Sequence, residues 1–242
     1  MKNLVLKSAL AILIAFGFTS CKIDIGDKGI TGSGNITTQT RNVGNFTKVS
    51  AERGLDVVIE MADQTSVVVE ADDNLQSHIK TTVENGELTI TSDYNSYTNV
   101  KSKKVTVKMP VIKGIDIKSG ASLKSANTLR SDNFTIETSS GSEADITVES
   151  EKIVAESSSG SHMTLRGKAL SLDTSSSSGS EIDADNLIAN DVTAQSSSGS
   201  STDVHAAVSI QAKASSGSSV EFKGSPKNVT KDESSGGSVS GS

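Results

Sequence analysis

Three stretches of the sequence decide the fold, because they carry the same pattern in register. Residues 152–166 read KIVAESSSGSHMTLR, residues 171–185 read SLDTSSSSGSEIDAD, and residues 191–205 read DVTAQSSSGSSTDVH. Each stretch has a Ser-Gly pair at its centre, and apolar residues alternate with polar ones on both sides of it. An alternation with a period of two is typical of strands that bury one face. Each stretch therefore predicts two short strands joined by a bend.

The same Ser-Gly pair recurs at near-equal intervals through the C-terminal half of the chain. Its Gly lies at positions 120, 141, 160, 179, 199, 217 and 236, at spacings of 18 to 21 residues. Four columns of positions, at three and five residues after this Gly and at five and seven before it, are apolar at 22 of 28 sites. The four interleaved columns are apolar once, at Val154. A flexible Ser-rich linker has no reason to keep this pattern, so the region is predicted to be folded.

A repeat of this length predicts stacked coils. A unit of about 19–20 residues is too short to bury its own apolar face, and stacking such units builds one continuous core. The sequence therefore predicts an all-β protein with the architecture of a β-solenoid, in which seven coils make a column about 34 Å long. A β-propeller is the alternative, but its blade needs about 40 residues, and every unit here carries the same inward pattern.

The Ser-Gly-Ser step is expected to form the corner of each coil. The Gly allows a bend that a Cβ atom would resist. The Ser residues just before and just after it fall on the inward parity, where their hydroxyls can bond to the next coil or to the backbone. The repeated Ser therefore has a predicted structural role.

The chain is predicted to divide into four segments. Residues 1–20 form a lipoprotein signal peptide, 21–29 a lipid-anchored tether, 30–112 an irregular β region with the first coils, and 113–242 the Ser-Gly repeat coils. Within the irregular region, β-branched residues predict strands at 46–49, 55–59, 67–69 and 105–107, and Asn85-Gly86 predicts a hairpin with a type I′ turn over 82–90. One short helix is predicted over 72–79. This region is expected to cap one end of the column.

The N-terminus has the features of an export signal. Lys2 and Lys7 flank the start of an apolar run over 8–18, which is too short for the about 20 residues of a membrane-spanning helix. The run ends at Phe18-Thr19-Ser20-Cys21, and Cys21 is the only Cys in the chain. This resembles a bacterial lipobox with Phe18 in place of the usual Leu, so Cys21 is predicted to carry lipid after cleavage by signal peptidase II. An ordinary signal peptide with an incidental Cys is the alternative.

The net charge of the chain limits which kinds of partner it is expected to bind. The formal charge of the chain is −6, and removal of Lys2 and Lys7 with the signal peptide lowers it to −8. An acidic protein lacks the basic surface that sequence-independent nucleic-acid binding requires. No nucleic-acid partner is therefore predicted.

The region from about residue 30 to the mid-220s resembles a known family. The ordered motifs are Gly32-Ser33-Gly34-Asn35, Thr40-Arg41-Asn42-Val43, Phe46-Thr47-Lys48-Val49, Gly54-Leu55-Asp56-Val57, Asp73-Asn74-Leu75 and Glu84-Asn85-Gly86-Glu87-Leu88. Followed by the Ser-Gly repeats, they resemble the putative auto-transporter adhesin, head GIN domain family of Bacteroidota lipoproteins. The resemblance implies a right-handed parallel β-helix at the cell envelope, anchored to the outer membrane and facing the periplasm or the cell surface. It supplies no catalytic or binding residues to carry over.

Motifs for catalysis or metal binding are absent from the sequence. His78, His162 and His205 lack the spacing of metal ligands and are predicted to be surface residues. The repeated Ser residues have no base at a fixed spacing, so they are not predicted nucleophiles. The protein is therefore predicted to be a non-enzyme without a cofactor.

Carboxylates occupy outward columns on both sides of the corner. Six that follow it form a predicted acidic stripe: Glu143, Asp145, Glu181, Asp183, Asp203 and Glu221. Four precede it: Asp116, Glu137, Glu156 and Asp232. The stripe could bind a divalent cation weakly or line a polysaccharide-cleaving cleft, but a solvated face that keeps the column soluble is favoured. Tyr94 and Tyr97, in the loop 93–97, form a candidate recognition patch.

The sequence as a whole predicts a lipid-anchored, adhesin-like module of the cell envelope without catalysis. Weak hydrogen bonds repeated along a rigid rod would supply the binding. The expected partners are the membrane, through the N-terminal lipid, and glycans or envelope proteins. A polysaccharide-active lyase or hydrolase and a structural or signalling envelope protein with protein partners only are the alternatives. The oligomeric state is left open.

Overall fold

The alternating segments around the Ser-Gly pairs fold into strands that stack in parallel. The computed structural model describes residues 29–242, and within it the strands that begin at Glu143 and His162 pair with an offset of 19 residues throughout. The predicted all-β solenoid of stacked parallel coils is confirmed. The predicted signal peptide over 1–20, the lipidated Cys21 and most of the tether lie outside the described residues.

The strands follow one another with a single short helical turn among them. Those before the repeats are β1 (Gly29–Thr31), β2 (Ile36–Arg41), β3 (Lys48–Ala51), β4 (Asp56–Met61), β5 (Ser66–Asp72), β6 (Ile79–Glu84), β7 (Glu87–Ser92), β8 (Ser96–Thr98) and β9 (Lys103–Met109), with a 3-10 turn at Asp73–Leu75. Those of the repeats are β10 (Gly114–Ile117), β11 (Ser122–Ser125), β12 (Leu129–Thr138), β13 (Glu143–Ser157), β14 (His162–Ser176), β15 (Glu181–Ser196), β16 (Ser201–Ser215), β17 (Ser219–Lys223), β18 (Asn228–Ser234) and β19 (Ser238–Gly241).

The predicted inward columns form the core of the repeat region. In β13 and β14, Ile153 and Ala155 before the corner and Met163 and Leu165 after it are fully buried. Because these residues are small or aliphatic, a narrow column is filled without large aromatic rings. The low aromatic content of the chain is therefore compatible with a continuous core.

A further inward column lies farther along each coil, beyond the predicted ones. Leu129, Val148, Gly167 and Leu187 pair in register from coil to coil. At Gly167, φ is +123°, and a Cβ atom would lie 2.0 Å from the Val148 carbonyl oxygen. Gly167 therefore allows a close approach of the backbone to Val148 at a position where the other three coils place an aliphatic side chain.

Each corner is a tight turn in which two successive residues have left-handed backbone angles. At Ser159 and Gly160, φ is +56° and +70°, and the Ser161 N–H donates to the Ser158 carbonyl oxygen at 3.3 Å. Two such residues in a row are typical of a type I′ turn. The turn interrupts the alternation, so Ser159 is exposed, and the prediction that the Ser before the Gly faces inward is wrong. Ser161, after the Gly, is buried as predicted.

The buried hydroxyls of the corner form a hydrogen-bonded ladder along the column. The Ser161 hydroxyl lies 2.7 Å from the Ser158 carbonyl oxygen and 3.1 Å from that of Thr138, one coil back. Between the next two coils, the Ser176 and Ser196 hydroxyls are 3.0 Å apart. Because buried polar groups are costly when unpaired, this ladder makes a Ser-lined interior tolerable.

Two strands that precede the Ser-Gly repeats form the first coil. β3 and β4 pair in parallel with β10 and β11. They meet at Arg53 and Gly54, whose φ values of +55° and +69° match those of the Ser-Gly corners. Arg53-Gly54 is therefore the corner of the first coil, although its sequence lacks the repeated Ser.

The rest of the region caps this coil. β7 and β9 add a layer beside β3 and β4, and the antiparallel partners β6, β5 and β2 close over it. The predicted hairpin is confirmed, with left-handed angles at Asn85 and Gly86. The predicted helix is shortened to the 3-10 turn Asp73–Leu75, because β5 continues to Asp72 and β6 begins at Ile79.

Candidate functional site

The six predicted stripe residues lie on one outer face of the column, named here the carboxylate face and formed by the outward positions of β13 to β17. Glu143 pairs in register with His162 and then Glu181, and Asp145 pairs with Thr164 and then Asp183. Asp203 and Glu221 continue the second row. Because β14 places His162 and Thr164 in these two rows, the stripe is divided into a pair of acids in β13 and a cluster in β15 to β17.

Two side chains of β14 contact the neighbouring acids, and one of them, Arg166, carries a positive charge. The Arg166 guanidinium forms an ion pair with Asp145. The His162 Nδ1 atom lies 3.2 Å from the Glu181 carboxylate, and its side chain is 42% exposed. His162 is a surface residue, as predicted. The stripe thus alternates in charge at this point instead of forming a uniform acidic surface.

The cluster in β15 to β17 brings like charges together. Asp203 lies between Asp183 of the preceding coil and Glu221 of the following one. Burial, and then the charges of Asp185, Glu221 and Asp183, raise the pKa of Asp203 to about 6. At neutral pH this carboxyl is therefore closer to protonation than an ordinary aspartate.

Asp185 belongs to this cluster, although it is not among the six residues of the predicted acidic stripe. Its carboxylate forms an ion pair with Lys223, two coils away, while its Oδ1 atom is buried without a hydrogen-bond partner. The pairing of β15 with β16 shifts register between Ala184 and Ile188, next to this residue. The alternation Asp183-Ala184-Asp185 was the available signal, but the shift in register cannot be read from it.

A metal site does not emerge from these acids. Within residues 29–242, no group of three or more His, Cys, Asp or Glu residues is arranged to hold a metal ion. The carboxylate face therefore offers hydrogen-bond acceptors and charge, and no coordination geometry.

A polar groove of about 450 Å³ lies where the carboxylate face meets the cap. It is lined by charged side chains of both signs: Asp56, Glu70, Lys101, Lys103, Lys104, Lys124, Glu143 and Asp145. The Lys103 ammonium is 2.8 Å from Asp56, and that of Lys104 is 2.8 Å from Glu70. The groove presents alternating charge, which suits a polar ligand with both donors and acceptors.

The four acids before the corner lie on a separate outer face. Asp116, Glu137 and Glu156 pair in register, and burial together with the charges of the other two raises the pKa of Glu137. Asp232 forms an ion pair of 3.2 Å with Lys213. This second acidic row provides a natural comparison for the carboxylate face.

The two Tyr residues have different environments. Tyr97 is half-buried, its hydroxyl donates to the Arg53 carbonyl oxygen at 2.9 Å, and burial raises its pKa. Tyr94 is partly exposed and meets the His78 ring edge-on, at 4.7 Å between centroids. Tyr97 therefore packs against the first corner, and a recognition role for this patch stays a prediction.

The family is shown by a match over most of the chain. The model described as "Putative auto-transporter adhesin, head GIN domain" matches residues 45–226. The chain belongs to this family. The matched region of the head GIN domain runs from just before the first coil to just after β17. No curated protein sequence matches the chain.

Solved structures share the fold of this head GIN domain. A putative adhesin from Bacteroides fragilis is 26% identical, with a TM-score of 0.83 over 88% of this chain and 100% of its own. A putative lipid binding protein from Parabacteroides distasonis is 17% identical, with a TM-score of 0.72 over 89% of this chain and 100% of its own. A putative adhesin from Parabacteroides merdae is 16% identical, with a TM-score of 0.70 over 89% of this chain and 99% of its own.

Within residues 29–242, the head GIN domain has no helix long and apolar enough to cross a bilayer.

Proposed function

We propose that this head GIN domain is a lipid-anchored, adhesin-like module of the cell envelope that binds its partner without catalysis. The observation that carries the proposal is the register of the stack. Each outward column of the carboxylate face repeats once per coil, at about 4.8 Å. A ligand with repeated polar groups can therefore meet a polar side chain at every coil, at the same position in the register.

Multivalency makes such a surface useful. Each exposed hydrogen bond or ion pair contributes little by itself, typically less than about 1 kcal/mol. When the groups are held on one rigid body, each further contact forms without a new loss of translational freedom. The partner class that fits is an extended glycan, or an envelope protein with a repeated polar surface.

The anchor is proposed at Cys21. The tether up to the first described residue is about eight residues long and spans at most about 28 Å when extended. Beyond it, the segment 32–35 is held by the cap: the Gly34 N–H donates to Asp72 at 2.8 Å, and the Ser33 N–H donates to Asn74 at 3.1 Å. A tether pulled from Cys21 would therefore transmit its load to the cap end of the rod.

The anchor is tested by substitution of Cys21 with Ala. Membrane retention should be lost, because no thiol remains for lipid attachment. The matched control is Ser20→Ala, which keeps a small residue before the Cys and should stay in the membrane fraction. A Cys21→Ala protein that still sediments with membranes would contradict lipid anchoring.

The binding surface is tested by neutralising three acids on each outer face. The variant Asp183→Asn/Asp203→Asn/Glu221→Gln alters the carboxylate face, and Glu137→Gln/Glu156→Gln/Asp232→Asn alters the other face by the same charge. Binding to a panel of uronic-acid and neutral glycans, and to envelope protein extracts, should change at least several-fold for the first variant only. Equal effects of both would show that net charge, and no particular face, controls binding.

Exposure at the cell surface is tested separately. Protease added to intact cells should cleave the chain if the module serves adhesion. Full protection in intact cells and cleavage after permeabilisation would place it in the periplasm and rule out an adhesive role.

A polysaccharide-cleaving activity is the second candidate, and the environment of Asp203 favours it. A carboxyl with a pKa of about 6 beside ionised acids resembles the acid and base pair of glycoside hydrolysis. Incubation with the same glycans should then release reducing or unsaturated ends, and Asp203→Asn should abolish the release. Cleavage of this kind would replace the adhesin proposal.

A further inference from the structure

The last coil that the structure describes departs from the repeat at two positions of the inward columns. Lys231 and Glu233 pair in register with Ala212 and Ala214 of β16, which are buried. In the inner coils these two columns hold aliphatic residues, Ser or Thr, so a Lys and a Glu break the pattern at both positions. Both residues are exposed, so their charged groups lie outside the core at the end of the described column, where they can reach the edge of the neighbouring strand.

Both side chains contact the same residue of β19. The Lys231 ammonium donates to the Val239 carbonyl oxygen at 3.1 Å, and its Nζ atom lies 5.2 Å from the centroid of the Phe222 ring. The Glu233 carboxylate accepts the Val239 N–H at 2.5 Å. One cation and one anion thus engage the carbonyl and the amide of a single peptide residue.

The Val239 groups point to the outer edge of β19. On its inner side, β19 bonds to the preceding coil through neighbouring residues: the Ser238 N–H donates to Ser218, and the Ser242 N–H donates to Phe222, each at 3.0 Å. In a strand, backbone groups of alternate residues point to opposite sides. Val239 therefore carries the donor and acceptor that another strand would use if it paired with this edge.

The backbone around β19 also lies close to the preceding coil. Gly237 and Gly241 occupy positions where inner coils hold Ser and mostly aliphatic residues. A Cβ atom at Gly237 would lie 2.3 Å from the Ala214 carbonyl carbon, and one at Gly241 would lie 2.5 Å from the Phe222 ring. The glycines therefore allow β19 to lie close to the core. In this position, Val239 is within hydrogen-bond distance of Lys231 and Glu233.

We propose that Lys231 and Glu233 form a lock that closes the β19 edge to a second copy of this chain. An unpaired strand edge is a template for association, and inward-pointing charges are one means of blocking it. With the lock removed, the β19 edges of two copies can pair about a two-fold axis, which joins the rods tail to tail and yields a dimer. The inference concerns assembly and does not depend on the proposed binding function.

The test removes the lock and leaves the rest of the coil unchanged. Lys231→Ala/Glu233→Ala restores the residues of the preceding coil at both positions. The soluble domain should change from a monomer to a dimer, a doubling of mass by light scattering. Hydrogen exchange of the peptide 235–242 should become slower in the dimer than in the wild-type monomer, because the Val239 amide is then paired between strands.

A matched control removes the same charges from the outer surface of the same coils. Lys213→Ala/Asp232→Ala breaks an exposed ion pair and should leave the protein monomeric. If the double Ala variant loses its fold by circular dichroism, Lys231→Met/Glu233→Met keeps the side-chain volume over Phe222 and takes its place. A folded unlocked variant that stays monomeric, or a wild-type protein that is itself a tail-to-tail dimer, would overturn the proposal.

Discussion

The cap and the repeat column are stabilised in different ways. The column continues a stack of strands, and the cap ends it. In the column, one pattern is repeated from coil to coil, so most buried hydroxyl and aliphatic side chains lie beside a similar side chain in the next coil. In the cap, the bonds are unique: the Asp72 carboxylate accepts the N–H groups of Gly34, Lys101 and Ser102. The comparison shows that the column depends on redundancy and the cap on single residues.

Charge adds a second difference. In the cap, acids face bases, as in the pairs Glu70 with Lys104 and Glu60 with Lys108. The column also has ion pairs, such as Asp145 with Arg166, but its parallel register places Asp183, Asp203 and Glu221 in one row of like charge. Stacking therefore favours Ser and aliphatic columns and penalises acidic ones.

The largest effect is expected in the cap. Asp72→Ala should lower the free energy of unfolding by about 3 kcal/mol or more, because three backbone donors lose a buried acceptor. Urea unfolding of the domain measures it. The exposed neighbour Asp73→Ala is the control and should cost much less. Equal losses for the two variants would show that burial of the Asp72 carboxylate is not what holds the cap together.

The pH dependence of this cap contact follows from the same bonds. Burial alone would raise the pKa of Asp72, but the Gly34, Ser102 and Lys101 N–H groups outweigh it and lower the pKa. The folded pKa is then below the unfolded one, so this stabilisation is present above the unfolded value and is lost as pH falls through the folded one. Asp72→Asn should flatten the acid limb of the stability curve.

An intermediate effect is expected where the column departs from its own rule. Gly167→Ala should cost about 2–3 kcal/mol, because the new Cβ atom would collide with the Val148 carbonyl group. Gly160→Ala is the matched change at a corner, where the space is open and φ of +70° alone is strained, and it should cost about 1 kcal/mol. Thermal unfolding of both variants tests this order, and the reverse order would contradict the close approach at Gly167.

The smallest effect is expected from the stacked acids. The folded pKa of Asp203 is about 6, above its ordinary value of 3.8, so its contribution to stability is fully present below about pH 3.8 and is lost as pH rises through about 6. Asp203→Asn should remove this slope and stabilise the domain at pH 7 by about 1 kcal/mol, after allowance for its partial exposure.

Melting temperatures between pH 4 and pH 7.5 provide the measurement for Asp203. Asp232→Asn is the control, because that acid already faces Lys213. A wild-type melting temperature that does not fall across this range would show that the acids of successive coils are not electrostatically coupled.

Most of the repeat column could be predicted from the sequence, because the repeat shows the same pattern at each position several times. Seven copies of one alternation made the inward columns evident, and Asn85-Gly86 is a local turn signal that needs no distant partner. The Ser before each corner Gly was misplaced, because alternation was extended through a turn whose left-handed angles break it. The first corner at Arg53-Gly54 has the backbone angles of the other corners but not their Ser, so it has no repeated motif in the sequence.

The candidate site was less accessible to sequence. The columns of the sequence repeat predicted which acids share a face. They did not predict that Arg166 pairs with Asp145, or that Asp185 pairs with Lys223 across two coils. These contacts depend on the length and direction of side chains and on a shift in register within β15, none of which has a periodic signature.

The amino-acid sequence by itself determined the all-β class, the length of a coil and the residues that face the core, because a period of two inside a period near 20 has one simple structural solution. Only the tertiary structure decided how the column begins and ends. The antiparallel cap, the bonds of Asp72 and the contacts of Lys231 and Glu233 with Val239 each occur once, and a contact that occurs once leaves no pattern in a sequence.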